Sequence, residues 1–254
     1  MELTILGSSG TWPPAGGATC GYLVSHEGVH LWLDAGTGTF ANLQEHIAIA
    51  DMSAILISHG HADHFVDILP CFYARHYGKL GAEGLPFFSP KGFVDLAALL
   101  VSEDGRDVMR QAYAFTTVHP RDEFDIGPFH VTAFLMTHIG VESLGFRIEA
   151  GGAVLAYTGD TGPSPEVIEL ARGAGVFLAE ATYQDHMTLL PFHMSATQAA
   201  EHASEAGVGR LILTHILPGA DREISRREAI ASFSGQVDLA EEGQKIRVDP
   251  WVRP

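Results

Sequence analysis

Residues 58–64 read Ser58-His59-Gly60-His61-Ala62-Asp63-His64, three imidazoles and a carboxylate within six positions. With 14 histidines and 14 aspartates in 254 residues, independent frequencies give a chance match to His-x-His-x-Asp-His a probability on the order of 0.2%. Imidazole nitrogen and carboxylate oxygen are donors that zinc takes readily, and that manganese or iron also accept. Along an extended segment His59 and His61 point to one side. Where the chain turns helical, Asp63 and His64 are free to turn toward a second ion nearby. The alternative is a polar surface turn.

The elements around this cluster set its position. Ala54-Ile55-Leu56-Ile57 is an uninterrupted apolar run bounded by Ser58, the pattern of a strand buried on both faces; the residues after it read as helical to about Gly78. The chemistry therefore begins where a strand ends. Upstream, Glu2–Leu6, Gly21–Ser25 and His30–Asp34 read as short strands separated by Gly/Pro-rich stretches. Downstream the same pattern recurs: strands at Phe129–Met136, Leu144–Glu149, Ala153–Tyr157, Val176–Leu178 and Arg210–Thr214, and helices at Pro165–Arg172 and Ser195–Ala206. Leu80–Thr117 is harder to read, with helices expected near Gly92–Ser102 and Asp107–Tyr113. Two β-rich halves that both carry helices predict an α+β architecture, two sheets face to face with helices outside, in one domain over residues 1–254.

A His-x-His-x-Asp-His cluster after a buried strand, followed by single His, Asp and His residues at later strand ends, resembles the metallo-β-lactamase superfamily over nearly the whole chain. The fold implied is the four-layer αββα sandwich. By that resemblance Met136-Thr137-His138 supplies the third histidine of the first metal, Tyr157-Thr158-Gly159-Asp160-Thr161 an aspartate that bridges both ions, and Leu213-Thr214-His215 the last histidine of the second. The implied ligand sets are His59, His61 and His138 for one zinc, and Asp63, His64 and His215 for the other, with Asp160 shared. Asp34, in Leu33-Asp34-Ala35-Gly36, matches a position that orients a metal-binding histidine; it also reads as a turn-starting aspartate.

Two such ions lower the pKa of a bridging water toward neutrality, and with Asp63 and Asp160 as the carboxylates they leave a net positive site suited to a small phosphodiester anion. The implied reaction is attack of that bridging hydroxide, with Asp63 orienting it. Leu178-Ala179-Glu180-Ala181-Thr182 followed by His193-Met194-Ser195 resembles the paired loops of the tRNA 3′-processing endonuclease branch and its phosphodiesterase relatives. There a glutamate orients a histidine near the leaving group, which makes Glu180 and His193 an acid relay able to protonate an expelled alkoxide. The other reading of His193 is a residue preceding a helix capped by Ser195. Ala179 departs from the endonuclease pattern, which has histidine there, and no long Gly/basic insertion is present to grip tRNA. The resemblance is therefore to enzymes that cleave 3′,5′-cyclic nucleotides or other small phosphodiesters, with the tRNA endonuclease itself and a non-catalytic metal-binding sensor as alternatives. It also implies a homodimer. A lactamase is disfavoured by the Asp160 type of site and the lack of a cysteine ligand.

Charge points the same way. Fifteen Lys+Arg against 31 Asp+Glu give a net charge of −16, a surface that repels polyanions and lacks the basic stripe of nucleic-acid binders. Cys20 and Cys71 are too few for a disulfide framework and read as small buried hydrophobes. No apolar run reaches membrane-spanning length, and the N-terminus lacks signal-peptide features, so a cytoplasmic chain is expected.

Overall fold

The computed structural model describes residues 1–251; residues 252–254 of the expected domain lie outside the described residues. Strands β1 (Glu2–Gly7), β2 (Gly21–His26), β3 (Val29–Ala35), β4 (Ala54–Leu56), β5 (Leu85–Pro90) and β6 (Tyr113–Val118) join the C-terminal strand β14 (Lys245–Arg247) in one seven-stranded sheet of order β14-β1-β2-β3-β4-β5-β6. Strands β7 (Glu123–Ile126), β8 (Phe129–Met136), β9 (Ser143–Ala150), β10 (Ala153–Tyr157), β11 (Val176–Glu180), β12 (Arg210–Thr214) and β13 (Gln236–Leu239) make the second, of order β13-β12-β11-β10-β9-β8-β7. Pairing is parallel from β3 to β6 and from β10 to β13, and antiparallel elsewhere.

The period-2 alternation of strands sorts their side chains into layers. On β3, Leu31 and Leu33 enter the core between the sheets, where they join Val131, Phe146 and Leu178, while Trp32 faces the opposite way. Trp32 packs in an outer layer with Phe65, Phe72 and Phe93 from helices α2 (Ala62–Phe65), α3 (Ile68–His76) and α4 (Phe93–Ala98), which with α1 (Thr39–Leu43) and α5 (Glu103–Ala112) cover the first sheet. On β12, Ile212 enters the central core, whereas Leu211 and Leu213 face a layer built by α6 (Pro165–Ala171), α7 (Ala196–Ala206) and α8 (Arg222–Ser232). The result is the expected αββα sandwich. Among the described residues no helix is long and apolar enough to cross a membrane.

Three local differences have physical causes. The single helix expected through Gly78 is two, because Asp67 turns back to tie the first sheet's rim: its amide donates to Ala35 O at 2.9 Å and its carboxylate accepts from Phe40 N at 2.9 Å. In the stretch 80–117 two strands, β5 and β6, accompany the two expected helices. Pro86 and Pro90 hide β5 from the sequence, since proline cannot donate to a ladder and normally signals an edge or a loop. Helix α7 starts at Ala196 with Ser195 as its N-cap in a complete capping box with Gln198.

Candidate metal centre

The two sheets place strand ends on one rim. His59 lies just beyond β4, His138 beyond β8, Asp160 beyond β10, Glu180 at the last residue of β11 and His215 directly after β12. Strands β8, β10, β11 and β12 all run the same way, so their carboxyl ends share an edge, the position where open α/β sheets bind ligands. The first sheet meets that edge through Ser58, whose carbonyl accepts from Leu144 N at 2.9 Å. Gly36 is required here, because a Cβ at that position would stand 2.0 Å from Asp63 O.

Two groups of donors result. In His59, His61, His138 and Asp160 the ligand atoms lie within 4.8 Å of one another, and the same holds for Asp63, His64, Asp160 and His215. Asp160 belongs to both. Its Oδ2 lies 3.7 Å from His59 Nε2, 3.8 Å from His138 Nε2 and 3.3 Å from His215 Nε2, while its Oδ1 lies 3.1 Å from His64 Nε2. Asp63 Oδ2 is 3.3 Å from His215 Nε2 and accepts the Thr11 amide at 2.8 Å. All seven residues expected as metal ligands are therefore brought together.

Their outer nitrogens fix which ring atom faces inward. Asp34 Oδ2 takes the His64 Nδ1 proton at 2.7 Å and the hydroxyl protons of Ser58 at 2.7 Å and Tyr157 at 2.6 Å. With its own proton committed to Asp34, Ser58 Oγ accepts from His59 Nδ1 at 3.0 Å. Likewise Thr182 Oγ1 donates to Glu180 Oε2 at 2.7 Å, so it accepts from His215 Nδ1 at 2.8 Å. His138 Nδ1 donates to Phe192 O at 2.9 Å. Four histidines thus turn an Nε2 lone pair toward the carboxylates, the tautomer a metal ligand needs. His59 Nε2, His64 Nε2 and Asp160 Oδ1 are buried without a hydrogen-bond partner among the described residues, each such group costing roughly 1–3 kcal/mol. This donor set fits a divalent cation.

Electrostatics agree. Burial, together with neighbouring imidazoles, lowers the pKa of His59, and burial lowers those of His61 and His138, so these rings favour the neutral state that ligates. Burial opposes charge on His64 and His215 too, yet the Asp160 carboxylate raises both. Asp160 and Asp63 are held below the usual carboxylate range against burial, Asp160 chiefly by His215 and His64 and Asp63 chiefly by His64. A site that attracts a proton in this way attracts a dication by the same field.

Asp34 is fully buried, and holds Ser58 N at 2.7 Å in addition to its three side-chain donors. Its φ of +55°, like that of His215 at +55°, lies in the left-handed region, a conformation costing about 1–3 kcal/mol that tight surroundings must maintain. Ser58, Tyr157 and Thr182 are positioning residues that sequence spacing does not bring out. All three lie in the quoted motifs, Ser58 next to His59, Tyr157 three residues before Asp160 and Thr182 two residues after Glu180, without a signal of this role. Cys20 is buried, as expected, and the fold puts its sulfur within 4.8 Å of the His64 and His215 ligand atoms. It accepts from Tyr22 OH at 3.4 Å; burial pushes its thiol well above the usual range, which keeps it neutral.

Beside the donor cluster, His193 Nδ1 stands 2.8 Å from Glu180 Oε1. Glu180 is wholly buried and is satisfied further by Thr161 N at 2.8 Å, Thr182 N at 3.3 Å and Met194 N at 3.3 Å. Burial disfavours a charged His193, but the adjacent Glu180 carboxylate outweighs it and raises the imidazole to about 9.

Residues 29–216 match the family model described as beta-lactamase superfamily domain. An uncharacterised protein of Mycobacterium tuberculosis is 35% identical over 93% of this chain and 88% of its own length. A probable metallo-hydrolase of Bacillus subtilis, YhfI, is 29% identical over 96% of this chain and 98% of its own. Its crystal structure superposes with a TM-score of 0.88 at 26% identity, over 96% of this chain and 98% of that one. A Mycobacterium ribonuclease Z is 28% identical, covering 99% of this chain and 98% of that one. The converging donors and these matches agree: the chain belongs to the metallo-β-lactamase superfamily, in its ribonuclease Z-like branch, and is a metal-dependent hydrolase.

Proposed function

We propose that this hydrolase is a phosphodiesterase that uses two divalent ions, zinc by preference, to cleave a small phosphodiester such as a 3′,5′-cyclic nucleotide in the cytoplasm. The carrying observation is the His193–Glu180 pair, 2.8 Å apart, at the edge of the two donor groups. Such a proton donor assists a poor alkoxide leaving group, as in a phosphodiester, and is not needed for the thiolate of a thioester; the positive charge of a two-ion site favours the phosphodiester anion over a neutral lactone. His59, His61 and His138 would hold one ion, Asp63, His64 and His215 the other, with Asp160 shared. When bound, the ions supply an acidified water and polarise the phosphoryl oxygens.

The chain's own residues do the rest. Asp63, whose Oδ2 is held by the Thr11 amide, orients the attacking water, whose proton is released to solvent as its oxygen bonds to phosphorus. As the bond from phosphorus to the ribose 3′-oxygen breaks, His193 delivers a proton to that oxygen, and Glu180 steadies the ring throughout. Asp34 acts through His64 and Ser58 by fixing ring orientation.

The 28% identity to ribonuclease Z favours tRNA 3′ processing as a second reading, and the net charge of −16 weighs against it. Zinc-loaded protein incubated with cyclic AMP, bis-p-nitrophenyl phosphate, precursor tRNA, a thioester and a lactone separates these. Hydrolysis of the two small phosphodiesters is expected; preference for the tRNA, thioester or lactone refutes the reading. Binding of metal with no hydrolysis across the panel indicates a sensor.

A further inference from the structure

A cavity of about 320 Å³ opens between two loops that flank the metal centre, walled by Gly60, Pro90, Phe93, Leu96, Val141 and Glu142. Its position is tied to the chemistry by the chain itself: Gly60 sits between His59 and His61, and Val141 and Glu142 follow His138 on the β8–β9 connection. A ligand whose phosphate sits on the donor cluster therefore has this cavity alongside it. Its volume falls within the roughly 300–1,000 Å³ of small-molecule sites.

The walls decide what enters. Phe93, Leu96, Val141 and Pro90 present apolar surface, Glu142 contributes the cavity's only carboxylate, and the exposed Lys91 is the one basic residue of the lining, its amide bonded to Glu142. Glu142 is half-buried and its Oε1 accepts from Lys91 N at 3.2 Å, which links the two loops across the cavity and holds the carboxylate at the wall. Gly60 is part of the shape: a Cβ there would stand 2.8 Å from Leu96 Cδ2, forcing Leu96 to shift. An apolar slot with an acceptor at its edge and an anion site next to it suits a planar ring bearing an exocyclic amine, joined to a phosphate.

On the phosphodiesterase reading, we infer that this cavity is the base pocket: it takes the nucleobase of the substrate and selects an amine-bearing base such as adenine through Glu142. Uracil, which turns a carbonyl oxygen where adenine has its amine, offers Glu142 no donor at that position and binds less tightly. Val141 and Glu142 are specificity-determining residues, distinct from those that hold metal or move protons.

The test is equilibrium binding, which does not depend on turnover. Calorimetric titration of zinc-loaded protein with 5′-AMP, 5′-UMP and ribose 5-phosphate should show 5′-AMP binding at least about 10-fold tighter than the other two. Val141→Trp, which fills the slot, should bring 5′-AMP to the level of ribose 5-phosphate. Glu142→Ala should retain binding of both nucleotides while losing most of the preference for 5′-AMP over 5′-UMP. Equal binding of 5′-AMP and ribose 5-phosphate by the wild-type protein, including no binding of either, overturns the assignment, as does an adenine preference that survives Val141→Trp. An adenine preference without hydrolysis of any phosphodiester leaves the pocket standing and removes the proposed reaction.

Discussion

Replacing His193 by alanine should separate two substrates that the same metal centre attacks. His193 Nδ1 is committed to Glu180 Oε1 at 2.8 Å, which leaves Nε2 of a side chain 14% exposed as the nitrogen available to a leaving oxygen. Deleting a positioned acid slows expulsion of an alkoxide by about 10²–10⁴, or roughly 3–5 kcal/mol of barrier, whereas p-nitrophenolate departs without a proton. The fold should survive, because Glu180 keeps its donors from Thr161 N, Thr182 N, Thr182 Oγ1 and Met194 N. Steady-state kcat/KM of His193→Ala should therefore fall by that factor on cyclic AMP and by far less on bis-p-nitrophenyl phosphate, with metal content unchanged by elemental analysis. Glu180→Gln is a harsher change than its chemistry alone indicates. Both carboxylate oxygens face only donors, so an amide nitrogen in either place leaves a buried donor opposed, at about 1–3 kcal/mol. Equal slowing of both substrates in His193→Ala, or loss of an ion, would make His193 a ligand or a structural residue and end the acid-relay proposal.

Elemental analysis after zinc loading should give close to two ions per chain, since two donor groups share Asp160; a folded protein that stays metal-free contradicts the central proposal. Asp63→Ala should abolish hydrolysis while far-UV circular dichroism is unchanged, and wild-type turnover would refute its role. Asp34→Asn should weaken metal binding about 10–100-fold. Its amide would face Ser58 N–H or the three donors on Oδ2, so the melting temperature should also fall by roughly 3–10 °C; a variant with unchanged metal affinity would show that Asp34 orients nothing. The proposed homodimer should scatter light as twice the 27.3 kDa chain mass at micromolar concentration, and a monomer removes it.

What could be read from the sequence was local. The cluster His59 to His64 is legible because its donors sit within six residues at a strand exit, and the strands Phe129–Met136, Ala153–Tyr157 and Arg210–Thr214 because uninterrupted or alternating apolar runs mark them. His138, Asp160 and His215 were assigned only through resemblance, since a single histidine or aspartate at a strand end carries no information about what lies across the rim. Strand β5 escaped because its prolines contradict the ordinary composition of an inner strand, and its place between β4 and β6 was set by packing of Phe87 into the outer layer. Helix α8 escaped because its surface is largely charged.

The orientation of the ligands belongs to the tertiary structure alone. Asp34 is 24 residues from Ser58, 30 from His64 and 123 from Tyr157, and Thr182 is 33 from His215. Such hydrogen bonds have no sequence period; they exist because two sheets, each formed for hydrophobic burial, bring their carboxyl ends to one rim. From the residues alone, only the His59–His64 cluster was legible as a set of metal donors. Only the packing of the sheets decided which nitrogen of each ring faces inward, and that the apolar slot at Leu96 and Val141 opens beside them.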